Sequence, residues 1–147
     1  MHPAYNPLFE VAHHQCKDPS VKEIFARLLT RETQFEALRT AFLAQVRKAR
    51  TRREGASPKL DKPTEAMLSS FDTDFVLMRS DFAQSIAHLT DAQFLQLALS
   101  HVKGMLQQEQ DMLRFVHADE KPLALDLVAF QSQTLALLED FLKTQGP

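Results

Sequence analysis

Tryptophan is absent from this chain, tyrosine and cysteine each occur once, and glycine occurs three times in 147 residues. The single Cys16 cannot close an internal disulfide, so packing must hold the fold, which agrees with a reducing compartment. So little glycine leaves no phosphate-cradling loop and no Gly-x-Ser-x-Gly elbow, and nothing around Cys16 marks an activated thiol. Nucleophilic catalysis therefore has no support, and a non-enzymatic role is expected. No apolar run approaches the roughly 18 residues a membrane-spanning helix needs. The opening MHPAYNPLFEVAHH has neither the basic start nor the apolar stretch of an export signal, so a cytoplasmic location is expected. Helix breakers are also scarce: between Pro63 and Pro122 there is no proline and only one glycine, Gly104.

What fills that stretch is helical periodicity. Leu68, Phe71, Phe75, Met78, Phe82, Ile86 and Leu89, then Leu95, Ala98, Val102, Met105, Met112 and Val116, recur every three or four positions and lay an apolar stripe along a helix. Upstream, Val21, Phe25, Leu28, Phe35, Leu38, Phe42 and Val46 do the same. Asn6-Pro7 and Asp18-Pro19 pair a capping side chain with a proline suited to the first helical turn. Gly55-Ala56-Ser57-Pro58 is a break, Thr90-Asp91-Ala92-Gln93 reads as a capping box, and Asp119-Glu120-Lys121-Pro122 reads as a turn and restart. These signals predict one all-α domain over 1–147. It has a short helix at about 7–16 and long helices at about 19–53, 62–89, 91–117 and 121–144. Short connections favour an antiparallel up-down-up-down four-helix bundle, with the short helix as an N-terminal extra. The 11 Phe residues need no polar partner and are read as core. Gly104, in mid-helix, is read as a point of close helix approach, with a local kink as the alternative.

Charge is unevenly laid out. Residues 1–62 carry 12 Lys/Arg against 7 Asp/Glu, and residues 63–147 carry 5 against 12. The densest run is Arg47, Lys48, Arg50, Arg52 and Arg53. At a helix C-terminus it opposes the macrodipole; functionally it offers a site for an acidic partner. No aromatic is interleaved to stack bases and no helix-turn-helix or zinc module accompanies it, which argues against nucleic acid.

Polar residues interrupt the stripes at Glu32, Glu109 and Gln131. Glu109 and Gln131 flank the third turn at similar distances, so a buried Glu–Gln hydrogen bond fixing helix register is expected. A carboxylate in a metal or ligand pocket is the sharper alternative. Glu10 and His13 share a helix face at the i, i+3 spacing that di-iron bundles use, although no second such pair occurs. His13, His14 and Cys16 give an incomplete transition-metal set, and His88 and His101 read as solvated or helix-capping.

Glu10-Val11, the run from Asp18-Pro19-Ser20-Val21-Lys22-Glu23 to Leu29, and Phe71-Asp72-x-x-Phe75 together resemble an uncharacterised bacterial ferritin-like family labelled "predicted outer membrane protein". The likeness touches about half the chain. It implies a helical bundle; a metal such as Fe, Mn or Zn, if one is held there, would draw on Glu32 and Glu109 with Glu10 or His13. At the family's Asp-His position this chain has Glu32-Thr33. The leading expectation is a helical bundle without a cofactor that binds a macromolecule, for preference a protein, or associates with itself. The ferritin-like metal protein is the alternative.

Overall fold

The computed structural model describes residues 7–54 and 84–145. It consists of α1 (Pro7–Gln15), α2 (Pro19–Glu54), α3 (Asp91–Met112) and α4 (Lys121–Gln145), with a helical turn at 84–86 and no strand among the described residues. The cap at Asn6, the Gly55 loop and nearly all of the helix expected over 62–89 lie outside the described residues, as do the side chains of Arg50 and Arg53.

The helix ends follow local chemistry. Asp18 Oδ1 accepts the N–H of Ser20 at 2.8 Å, Pro19 takes the first helical position, and Lys22 N–H begins the ladder on Asp18 O at 3.0 Å. The 36 residues of α2 extend about 54 Å at 1.5 Å per residue. At α3, Thr90 Oγ1 accepts the Gln93 N–H at 3.2 Å and Gln93 Oε1 accepts the Thr90 N–H at 2.8 Å, a closed capping box.

α3 stops at Met112, short of the expected His117. Leu113 to Phe115 continue as tight i→i+3 turns, including Phe115 N–H on Met112 O at 2.9 Å. The reason lies at the next turn. Glu120 Oε1 accepts the N–H of His117 at 3.1 Å, and His117 O accepts the N–H groups of Glu120 and Lys121 at 2.9 and 3.1 Å. The His117 N–H is thus diverted from the Leu113 carbonyl it would meet in a longer helix.

Three contacts set helix directions. Phe25 meets Phe94 (6.5 Å between ring centroids) near the starts of α2 and α3. Arg31 reaches Thr134, and Gln45 Nε2 donates to Asp119 O at 3.1 Å. So α2 and α3 point the same way and α4 runs back along them, packed on both. α1 lies across α2 and α3 at the end where those helices begin.

The core has two parts. At the α1 end, Phe9, Ala12, Cys16, Phe25, Leu28, Phe94, Ala98 and Val102 close together with Leu138. Toward the α3–α4 turn, Phe35, Phe42, Val46, Met105, Met112, Ala124 and Leu127 form the second cluster. Each fully buried Phe or Leu contributes about 1.5–3 kcal/mol by leaving water. Gly104 stands apart: it is exposed, and among the described residues nothing lies within 4 Å of a Cβ built on it. None of α1, α2 and α4 makes the close helix approach expected at this glycine.

Candidate functional site

The basic end of α2 is built by helix geometry alone. Val46 and Ala49 point into protein and are buried, so Arg47, Lys48 and Arg52 fall on the outer faces and are exposed. Among the described residues no carboxylate pairs with any of the three; the ion pairs there are His14–Glu10 and Arg39–Glu36. Macrodipole neutralisation accounts for Arg52 but not for Arg47 and Lys48. They precede Glu54 by two turns, and the dipole effect fades within the last turn. The Gln45–Asp119 hydrogen bond sets the α3–α4 turn against α2 just before these cations, and nine more helical residues project past that level.

A second polar constellation is internal. Arg39 (3% exposed), Glu109 (0%) and Gln131 (4%) put one polar side chain from each long described helix into or beside the second core cluster. Arg39 Nη2 donates to Glu36 Oε2, and its guanidinium carbon lies 5.7 Å from the centre of the Phe35 ring. The carboxyl of Glu109 has no hydrogen-bond partner among the described residues. The expected Glu109–Gln131 hydrogen bond is therefore not made, although both side chains are buried. Burial pushes the Glu109 pKa up to about 9; Arg39 opposes this and Glu32 adds to it. At neutral pH Glu109 is a protonated acid, which lessens the cost of enclosing an unpaired carboxyl.

His101 is neither solvated nor a cap. It is half-buried, edge-on to Phe9 with ring centroids 5.7 Å apart. Burial first, and the charge of Arg39 second, lower its pKa to about 4.

The four carboxylate and imidazole groups implied for a metal do not converge. Glu10 Oε1 is 3.0 Å from His14 Nε2, and His13 Nδ1–H donates to Lys22 O at 3.1 Å, both at the α1 end. Glu32 and Glu109 lie farther along the bundle, where α1 does not reach. Among the described residues no three His, Cys, Asp or Glu side chains could hold one ion. Among the described residues, then, Glu10, His13, Glu32 and Glu109 do not come together as one donor set.

Two arrangements had weak or no sequence signals. Asp91 accepts the N–H groups of Lys17 and Asp18 at 3.0 and 2.9 Å and bonds the Cys16 thiol. Arg31 is held against α4: its Nε donates to Thr134 Oγ1 at 2.6 Å, its Nη2 donates to Phe130 O at 2.9 Å, and it lies 4.1 Å over the Phe130 ring. An acidic residue just after a Thr cap, and Arg next to an apolar stripe, are the only traces in sequence.

No known protein family, curated protein or solved structure matches this chain. Among the described residues no helix is long and apolar enough to cross a membrane.

Proposed function

We propose that this protein is a non-enzymatic helical bundle that binds an acidic macromolecular partner, a protein or a second copy of itself, through the C-terminal end of α2. One observation carries the reading: Arg47, Lys48 and Arg52 are exposed and lack acidic partners among the described residues. Cations held on one helix end without acidic partners among the described residues present a positive field, which attracts acidic surfaces and fixes their register. The acidic balance of residues 63–147 makes a second copy one such surface. The parallel course of α2 and α3 is compatible with an up-down-up-down four-helix bundle, whose remaining helix is expected over a segment that lies almost wholly outside the described residues.

The test is an Arg47→Glu, Lys48→Glu, Arg52→Glu triple variant. Partner capture from native extract and sedimentation of the purified protein should both lose their complex in the variant. The wild-type complex should weaken between low salt and physiological salt, where screening acts beyond about 8 Å. Complexes that survive the triple reversal unchanged would exclude this end as the interface.

A further inference from the structure

α2 and α4 enclose a surface groove of about 510 Å³, lined chiefly by Arg27, Arg31, Gln133, Ala136, Leu137 and Asp140. That volume falls within the roughly 300–1,000 Å³ of small-molecule sites. Arg31 is not a loose surface side chain. Thr134 Oγ1, Phe130 O and the Phe130 ring hold its Nε and Nη2 side against α4, and the residue lines the groove. Thr134 is itself anchored, its hydroxyl donating to Phe130 O at 3.1 Å.

Arg27 lies one turn earlier on the same face. Among the described residues no carboxylate pairs with either arginine. Like charges at i, i+4 repel. Burial, and then Arg27, lower the pKa of Arg31, so the repulsion is felt at the guanidinium itself. A flat two-oxygen anion placed between them would relieve it and could take paired N–H donors.

The opposite wall narrows the ligand class. Asp140 places a negative charge in the groove, which disfavours a dianion such as phosphate. Ala136 and Leu137 offer an apolar surface for a short alkyl chain. We propose that this groove binds a small monocarboxylate bearing a short aliphatic tail, its carboxylate between Arg27 and Arg31 and its tail on Ala136 and Leu137. This site is independent of the basic end of α2 and does not rest on the function proposed for that end.

The experiment titrates the ¹⁵N-labelled protein with butyrate, acetate and inorganic phosphate at constant ionic strength, following the amides of Thr30 and Gln133. Saturable shifts are expected, with affinity in the order butyrate, acetate, phosphate. Arg27→Gln changes an exposed residue and should retain the fold; it should weaken butyrate binding about tenfold or more. Arg31→Lys keeps the charge but loses the fork and should also weaken it. Asp140→Asn should narrow the gap between butyrate and phosphate. Shifts linear in concentration, phosphate binding as tight as butyrate, or unchanged affinity in Arg27→Gln would each overturn the proposal.

Discussion

Asp91 Oδ2 accepts the backbone N–H of Asp18 at 2.9 Å, so the first residue of α3 ties down the entry to α2, 73 positions away in sequence. Its other oxygen takes the Lys17 N–H, and the Cys16 thiol completes the set. Burial alone would raise the Asp91 pKa, but the N–H groups of Asp18 and Lys17 and the thiol outweigh it and hold the carboxyl below its ordinary 3.8. A carboxyl depressed on folding stabilises the protein above its unfolded pKa, and that stability is lost as pH falls through the folded value. Asp91→Ala should therefore destabilise the protein at pH 7, by about 0.5–1 kcal/mol given the solvent screening at these exposed hydrogen bonds. It should also flatten the acid limb of a stability profile below about pH 4. Urea titrations of both proteins from pH 7 to pH 2 check this; parallel profiles would show that Asp91 carries no net stabilising charge.

The same contact predicts an inert thiol. Burial pushes the Cys16 pKa up to about 12, with the Asp91 charge and hydrogen bond adding to it and Lys22 opposing. Thiolate is the reactive form, so native Cys16 should react with a disulfide reagent only at the rate of local opening. Asp91→Ala, which both loosens the turn and lowers the thiol pKa, should label faster at pH 8. Equal labelling rates in the two proteins would mean that Asp91 does not guard the thiol.

Glu109 and His101 set an alkaline slope. A carboxyl whose pKa rises from 4.5 to about 9 holds a proton in the folded state that the unfolded chain has lost, so its contribution falls from pH 4.5 upward. An imidazole lowered from 6.5 to about 4 acts oppositely, and its penalty appears only as pH drops below 6.5. Between about pH 4.5 and 6.5 the two slopes offset each other. Above 6.5 only Glu109 titrates, and stability should fall by about 1.4 kcal/mol per pH unit until pH approaches 9. Glu109→Gln should remove the slope, making the variant less pH-sensitive than wild type from pH 6.5 to 9. Thermal melts across that range decide it; an unchanged slope in the variant would place the responsible group elsewhere.

The legible parts of this fold were those written by short-range rules. Periodic Val21, Phe25, Leu28 and Phe42 gave an all-helical chain, and Thr90 with Gln93 gave a start correct to the residue, because both signals act within one or two turns. The end of α3 was not legible. It depends on Glu120 capturing the His117 N–H, and Glu120 reads as an ordinary surface acid although it is fully buried. Glu109 and Gln131 were legible as buried polar positions, since they interrupt an apolar stripe. Whether their side chains meet depends on helix rotation and register, which the stripe does not specify to a hydrogen bond's tolerance. The anchoring of Arg31 on Phe130 and Thr134 spans about 100 residues, and its one local mark, an arginine beside an apolar stripe, does not say what the side chain meets. The exposed cations at Arg47, Lys48 and Arg52 were visible because charge density needs no tertiary information.

Gly104 gives the simplest stability test. Glycine within a helix costs about 0.5–1 kcal/mol relative to alanine through backbone entropy, unless close packing requires the missing Cβ. Here nothing among the described residues lies within 4 Å of the position a Cβ would occupy, and the residue is exposed. Gly104→Ala should therefore stabilise the protein by about 0.5–1 kcal/mol, acting mainly by restricting the unfolded chain. A chemical denaturation midpoint that moves up with an unchanged m-value is the expected signature. A lower midpoint would mean that a kink, or a partner helix approaching α3 at this point, uses the missing side chain.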